Sequence, residues 1–227
     1  MIESPAETPA PSPPTTSLGW WVVGVTTVIV VIGSAVVLLF NPIWIGFEQQ
    51  RAGVPAITGY TPEQVRAATG SILADLIFGP PDFAVTIVGQ PVLDDAERSH
   101  MVDVRNVLLP FAMLLVVATV VLVAIVAANR RNGWVWRAIA RASGTLLLVG
   151  VVVGAAVLLF FDAAFLLFHR VFFPQGNFSF DPRVERLTQL FPPQFWTETA
   201  TATVIVALAI ALAVTLVARR QAGRMSA

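Results

Sequence analysis

With 227 residues, 56% of them hydrophobic and only 12% charged, the chain lies outside the range of soluble domains, and its apolar residues gather into blocks. The absence of cysteine excludes disulfides, thiolate nucleophiles and cysteine metal sites. The 14 basic residues, all arginine, are balanced by 14 acids, so no net positive field draws nucleic acid; a polytopic membrane protein is expected.

Residues 1–17 are rich in Pro, Ser, Thr and Ala and carry too little apolar surface to offset the entropy of ordering, so they read as a disordered tail. The stretch from about 18 to 40 contains no charge and begins at Trp20-Trp21, long enough to cross a hydrocarbon core of about 30 Å as a helix. No basic region precedes it and Phe40-Asn41-Pro42 makes a poor cleavage site, which favours an uncleaved first span over a signal peptide.

Residues 41–106 form the longest segment between spans. Tyr60-Thr61-Pro62-Glu63 reads as a helix start, with Thr61 as N-cap and Pro62 at the first helical position. Val65, Ala68, Ile72, Leu73, Leu76 and Ile77 then recur at helical spacing up to Gly79-Pro80-Pro81. The run Asp82-Phe83-Ala84-Val85-Thr86-Ile87-Val88-Gly89 is partly alternating and β-branched, and reads as a strand. Asp94-Asp95-Ala96-Glu97 opens a further helix, its acids placed where the macrodipole favours them, and that helix carries His100.

A second span runs from about 107 to 128, followed by a basic turn containing Arg130, Arg131, Trp134, Trp136 and Arg137. The third covers about 139–161. Apolar residues continue to Phe173, interrupted only by Asp162, His169 and Arg170, so its last turns are expected to emerge at the interface with His169. A carboxylate in lipid is costly, so Asp162 is expected to face the bundle interior. Residues 162–201 contain turns, a short helix from Arg183 to Phe191 closed by Pro192-Pro193, and the approach to a fourth span at about 202–217. The expected fold is an all-α transmembrane four-helix bundle occupying 18–218, with a small extracytoplasmic α+β cap from the first and third loops and a cytoplasmic tail over 219–227.

The loop after the second span and the C-terminal tail hold seven arginines and no acid, whereas the other two loops hold seven arginines and 12 acids. The positive-inside rule therefore places both termini in the cytoplasm and both histidines outside. His100 and His169 are the only histidines. Imidazole titrates nearest neutral pH, so two of them beside a bilayer suggest proton transfer, although a structural role is the commoner fate of a lone interfacial histidine. On a helix Glu97 precedes His100 by three residues and Asp103 follows by three, so either carboxylate is placed to orient the ring. A zinc hydrolase built on the histidines and a carboxylate is weighed against this, but no HExxH or comparable ligand pair is present.

Three stretches carry a resemblance. They are Leu93-Asp94-Asp95-Ala96-Glu97-Arg98-Ser99-His100-Met101-Val102-Asp103-Val104, Phe168-His169-Arg170-Val171-Phe172-Phe173, and Asn177-Phe178-Ser179-Phe180-Asp181-Pro182 continuing to Leu190-Phe191-Pro192-Pro193-Gln194-Phe195-Trp196. In order and spacing they resemble the lipoprotein intramolecular transacylase family of four-span bacterial membrane proteins, departing where Phe178 stands for an expected Trp and Glu185 for an expected Asp. The resemblance implies a membrane acyltransferase of the bacterial cytoplasmic membrane. It would move the sn-2 acyl chain of a diacylglyceryl lipoprotein to the N-terminal cysteine amine, leaving a lyso-form lipoprotein. It implies His169 and His100 as catalytic acid–base residues, with Glu97, Asp103, Arg98, Arg105 and Arg170 binding or orienting the substrate. Membrane lipids and diacylated lipoproteins are the implied partners, with no cofactor and no metal. A non-catalytic lipid-binding or accessory module of the same fold is the alternative.

Overall fold

Four helices are long and apolar enough to cross a membrane, and a mainly helical layer fills the two long segments between them, as seen in a computed structural model that describes residues 17–225. Of the tail expected over 1–17 all but Ser17 lies outside the described residues, as do the last two residues of 219–227.

Helix α1 (Ser17–Leu39) is the first span. Asn41 then turns the chain into α2 (Pro42–Arg51), its side-chain oxygen accepting the N–H groups of Ile43 and Trp44 at 2.9 and 3.1 Å. The short helix α3 (Val54–Thr58) sits between Gly53 and Gly59, both left-handed at φ 71° and 72°, a conformation that glycine adopts without steric cost. Neither α2 nor α3 is marked in the sequence by a long apolar period. Helix α4 (Pro62–Ile77) starts at the expected Thr61, whose hydroxyl accepts the Gln64 N–H while the Gln64 side chain accepts the Thr61 N–H. Its expected face is buried from Val65 to Leu76, with Ile77 left exposed.

The strand expected over 82–89 shrinks to β1 (Thr86–Ile87), paired antiparallel with β2 (Gln90–Pro91). Phe83 stands at φ 49° and the Val85 N–H donates back to the Phe83 carbonyl at 2.8 Å, a tight turn that ends the extended run, and Pro91 withholds an N–H donor on the other side. The turn between them places Val88 at φ 50° and Gly89 at φ 74°, as a tight two-residue hairpin demands.

Helix α5 (Asp95–Asn129) joins the expected His100 helix and the second span into one rod of 35 residues. Helix α6 (Gly133–Leu159) is the third span. It breaks at Phe160 (φ −120°, ψ 41°), so that the apolar continuation becomes a separate helix, α7 (Phe161–Phe172). The helix expected from Arg183 to Phe191 is confined to α8 (Arg186–Leu190), and α9 (Pro193–Arg224) contains the fourth span.

In the bundle α1 touches α5, α6 and α9, and α6 runs along α9. Glycines permit close approach at two crossings. A β-carbon on Gly33 would lie 2.6 Å from Leu115 on α5, and one on Gly154 2.7 Å from Val204 on α9. Between α6 and α9, the buried Ser143 hydroxyl donates to the Ile139 carbonyl at 2.8 Å, and the Thr215 hydroxyl shares its proton between the Ala211 carbonyl at 2.7 Å and Ser143 Oγ at 2.8 Å, so no hydroxyl is stranded in the apolar interior. At one end of the bundle, α2 to α5, α8 and the start of α9 enclose a second core around Phe83, Ile72, Leu190 and Phe195. Buried Gln49 fastens it, its amide donating to the Thr69 hydroxyl at 2.9 Å and the Leu190 carbonyl at 3.0 Å.

Candidate active site

The first turns of α5 stand between the apolar span and this cap. Asp94 accepts the Glu97 N–H, and the Glu97 carboxylate accepts the Asp94 N–H, both at 2.8 Å, so the helix start is fixed reciprocally. The second Glu97 oxygen accepts the Leu187 N–H at 2.6 Å, tying α8 to α5. Glu97 is almost wholly buried; burial pushes its pKa up, and the two backbone donors hold it back. Its carboxylate thus holds helices together and makes no bond to an imidazole. One turn on, the same buried face presents His100.

His169 arrives from α7. That helix leaves Leu167, Phe168 and Val171 exposed, as an amphipathic helix lying at a membrane interface would. The His169 Nδ1 lies 2.8 Å from the Phe165 carbonyl oxygen. A carbonyl can only accept, so Nδ1 carries the proton and Nε2 is left with a free lone pair.

The fold brings the two imidazoles together, with ring centroids 6.1 Å apart and planes inclined by 24°, and no hydrogen bond joins them. Phenylalanines enclose them. Phe173 and Phe180 lie 4.8 and 5.5 Å from the His100 ring, and Phe165 and Phe178 lie 4.1 and 5.2 Å from His169. Burial makes a charged imidazole unfavourable. His100 is pushed down to about 4 by its burial and, secondarily, by repulsion from His169. His169 is also lowered by burial, the hydrogen bond to Phe165 opposing. Burial thus favours the neutral form of both rings.

Asp103 reaches the same neighbourhood by another route. Its carboxylate accepts from Gln175 at 2.7 Å and from Asn177 at 2.6 Å, pinning the chain after α7 across α5. The Asn177 amide also faces His100 and favours its protonated form. Yet His100 Nδ1 and Asn177 Oδ1, both buried, have no hydrogen bond of acceptable geometry among the described residues. Asn177 and the four phenylalanines are the parts of the site not assigned from sequence, and the density of aromatics from Phe165 to Phe180 was the available signal.

The arginines are dispersed. Arg98 donates to the Asp82 carbonyl at 2.6 Å and pairs with Asp95 at 3.6 Å. Arg105 donates to the carbonyls of Asp75 and Gly79, clamping the end of α4. Arg170 is exposed on α7 beside His169. Asp162 does not face the bundle interior as expected. It is exposed in the first turn of α7, because the break at Phe160 turns the chain outward and the new helix N-terminus favours a carboxylate. Among the described residues no three His, Cys, Asp or Glu side chains converge as metal ligands.

The family model described as lipoprotein intramolecular transacylase Lit matches residues 21–196. A sequence comparison with curated proteins finds no match. Among solved structures, the fold is similar to the membrane integral lipoprotein intramolecular transacylase Lit from Bacillus cereus, with TM-score 0.76 and 17% identity over 91% of this chain and 95% of that one. Variants of the same Bacillus cereus protein with one histidine replaced by arginine or by alanine both give TM-score 0.73. Their identities are 18% and 17%, over 92% and 91% of this chain and 94% and 93% of theirs.

Proposed function

From the premise that this chain belongs to the lipoprotein intramolecular transacylase family, we propose that it transfers an acyl chain within a diacylglyceryl lipoprotein, from the sn-2 oxygen of the lipid to the α-amine of the N-terminal cysteine. The observation that carries this reading is the pair of neutral histidines, 6.1 Å apart, in an aromatic enclosure at the end of the apolar spans.

In the proposed reaction His169 is the base. Its Nε2 takes a proton as the amine nitrogen attacks the sn-2 ester carbonyl. The tetrahedral intermediate then collapses with loss of the sn-2 oxygen, which takes the proton back from His169 and becomes a hydroxyl. One C–N bond forms, one C–O bond breaks, and no net proton is released from the neutral amine. His100, neutral and almost buried, supplies an N–H donor to the oxyanion of the intermediate. Amine and ester belong to one molecule, so proximity supplies much of the acceleration and no covalent acyl-enzyme is needed. The cap end lies outside the cytoplasmic membrane and the termini inside, in keeping with the arginine distribution. Arg170, exposed at the membrane surface, is positioned for a lipid phosphate.

The test is mass spectrometry of the N-terminal peptide of a reporter lipoprotein in cells lacking other N-acyltransferases. An N-acylated lyso peptide that appears only with the intact protein is the expected result. An unchanged diacylglyceryl peptide, with the protein present in the membrane, would overturn the transacylase reading in favour of a non-catalytic lipid-binding role.

A further inference from the structure

At the end of the bundle opposite the histidines, the packed helices α6 and α9 together line an open surface depression of about 530 Å³. Arg137 and Arg141 line it from α6 and Arg219 from α9, all three exposed. The α6 residues Arg137, Arg141, Thr145 and Leu148 follow at intervals of four, four and three, so they descend one helix face. The drop from Arg137 to Leu148 is about 16 Å at 1.5 Å per residue. The lining is thus cationic at the mouth, hydroxylic in the middle and apolar below.

Arg141 is preorganised. Its guanidinium carbon lies 5.0 Å over the Trp20 ring of α1, which holds one face by cation–π attraction and leaves the N–H edge available for bidentate contact. Among the described residues no salt bridge is made to any of the three arginines.

We propose that this cavity binds an anionic glycerophospholipid, with the phosphate held by Arg137, Arg141 and Arg219 and an acyl chain running down past Thr145 onto Leu148. The polarity gradient is that of a lipid entering headgroup outward. A free phosphate would use the arginines but leave the apolar floor unoccupied. A zwitterionic headgroup would bring an ammonium beside three guanidiniums, where like charges repel.

The experiment uses the full chain purified in detergent and native mass spectrometry of lipid adducts. Separate titrations use phosphatidylglycerol, phosphatidylcholine and inorganic phosphate. Phosphatidylglycerol is expected to bind at about tenfold lower concentration than phosphatidylcholine. Arg141→Gln and Arg219→Gln should each weaken it about fivefold, and Arg224→Gln, outside the cavity lining, should not. Thr145→Trp keeps every charge and fills the cavity, so it should weaken phosphatidylglycerol binding even if the arginine variants fail to insert. Equal binding of the two lipids, indifference to Thr145→Trp, or equally tight capture of inorganic phosphate that displaces phosphatidylglycerol would overturn the proposal.

Discussion

Replacing His169 by Asn and by Gln separates the ring's two nitrogens. The Asn amide nitrogen falls near the position of Nδ1 and can keep donating to the Phe165 carbonyl, now met at 2.8 Å, but nothing remains at Nε2. The Gln amide reaches toward Nε2 but cannot accept a proton there. General acid–base catalysis contributes about 10²–10⁴ in rate, or about 2.7–5.5 kcal/mol of barrier at 1.36 kcal/mol per decade. Both variants should lose activity by that factor, and the activity left should reflect the juxtaposition of amine and ester. His169→Asn should lose less thermal stability than His169→Ala, because it alone keeps the turn hydrogen bond. The assay is the initial rate of N-acylation of a synthetic diacylglyceryl peptide, followed by mass spectrometry, with a melting curve on the same preparation. A His169→Asn protein that melts like the wild type and retains more than about a tenth of its rate would refute the base assignment.

Glu97→Gln should behave differently, because Glu97 joins two helices through the N–H groups of Asp94 and Leu187. One amide oxygen replaces two acceptors, so a buried N–H is left unpaired and stability falls by about 2–4 kcal/mol, while the rate per folded molecule stays near wild type; a collapse in rate at unchanged melting temperature would contradict this. Both histidine pKa values are lowered, so the acid limb of the pH–rate profile should fall below the ordinary imidazole value near 6.5, with activity lost as pH drops through it; a limb centred above pH 7 would be inconsistent with it. Glu48, buried against Glu198, is raised to about 7 by its burial and then by that carboxylate. The folded state thus binds a proton there that the unfolded chain releases above about 4.5, and wild-type stability declines as pH rises through 7. Glu48→Gln should therefore raise the melting temperature at pH 8 and barely change it at pH 5, and equal shifts at both would count against that. Val88→Asn, which relieves a β-branched residue at φ 50°, should stabilise the hairpin by about 1 kcal/mol, read as a higher melting temperature.

What could be read from the sequence was what is local. Thr61 and Asp94 announce their helices because a cap needs only a side-chain oxygen and an amide three residues on, and the spans announce themselves by composition. The meeting of His100 and His169 depends on the break at Phe160 and on the turn after Phe173, which fold α7 and its tail back over α5. The turn is signalled by Pro174-Gln175-Gly176-Asn177, with Gly176 at φ 81°, whereas the break at Phe160 has no motif of its own. Arg98 and Arg105 were equally opaque. A residue-type reading offers them carboxylates and lipid phosphates, and Arg98 does pair with Asp95 at 3.6 Å, but their hydrogen-bond acceptors are the carbonyls of Asp82, Asp75 and Gly79, left over where α4 ends and an irregular loop begins. The left-handed Phe83, at φ 49°, likewise cut short a strand that alternation alone suggested.

The environment of the histidines suits acyl transfer to an amine better than hydrolysis. A carboxylate bonded to either ring would raise its pKa and favour the charged form; Asp103, which bonds Gln175 and Asn177, raises His100 only through its field, which burial outweighs, and Glu97 is held by backbone. The rings stay neutral, able to accept a proton at once. Phe165, Phe173, Phe178 and Phe180 set apolar surface against both rings, with Asn177 and Asp103 the polar side chains that act on His100. In the proposed reaction water is the competing nucleophile, and the less of it an apolar wall admits, the more a tethered amine is favoured. The same apolar surroundings would strengthen an N–H donated by His100 to the developing oxyanion. Opening the box should therefore change the product and not merely the rate. Phe178→Ala, read by the ratio of free fatty acid to N-acyl peptide, is expected to shift that ratio toward hydrolysis; a slower reaction with an unchanged ratio would show that the phenylalanines serve packing alone.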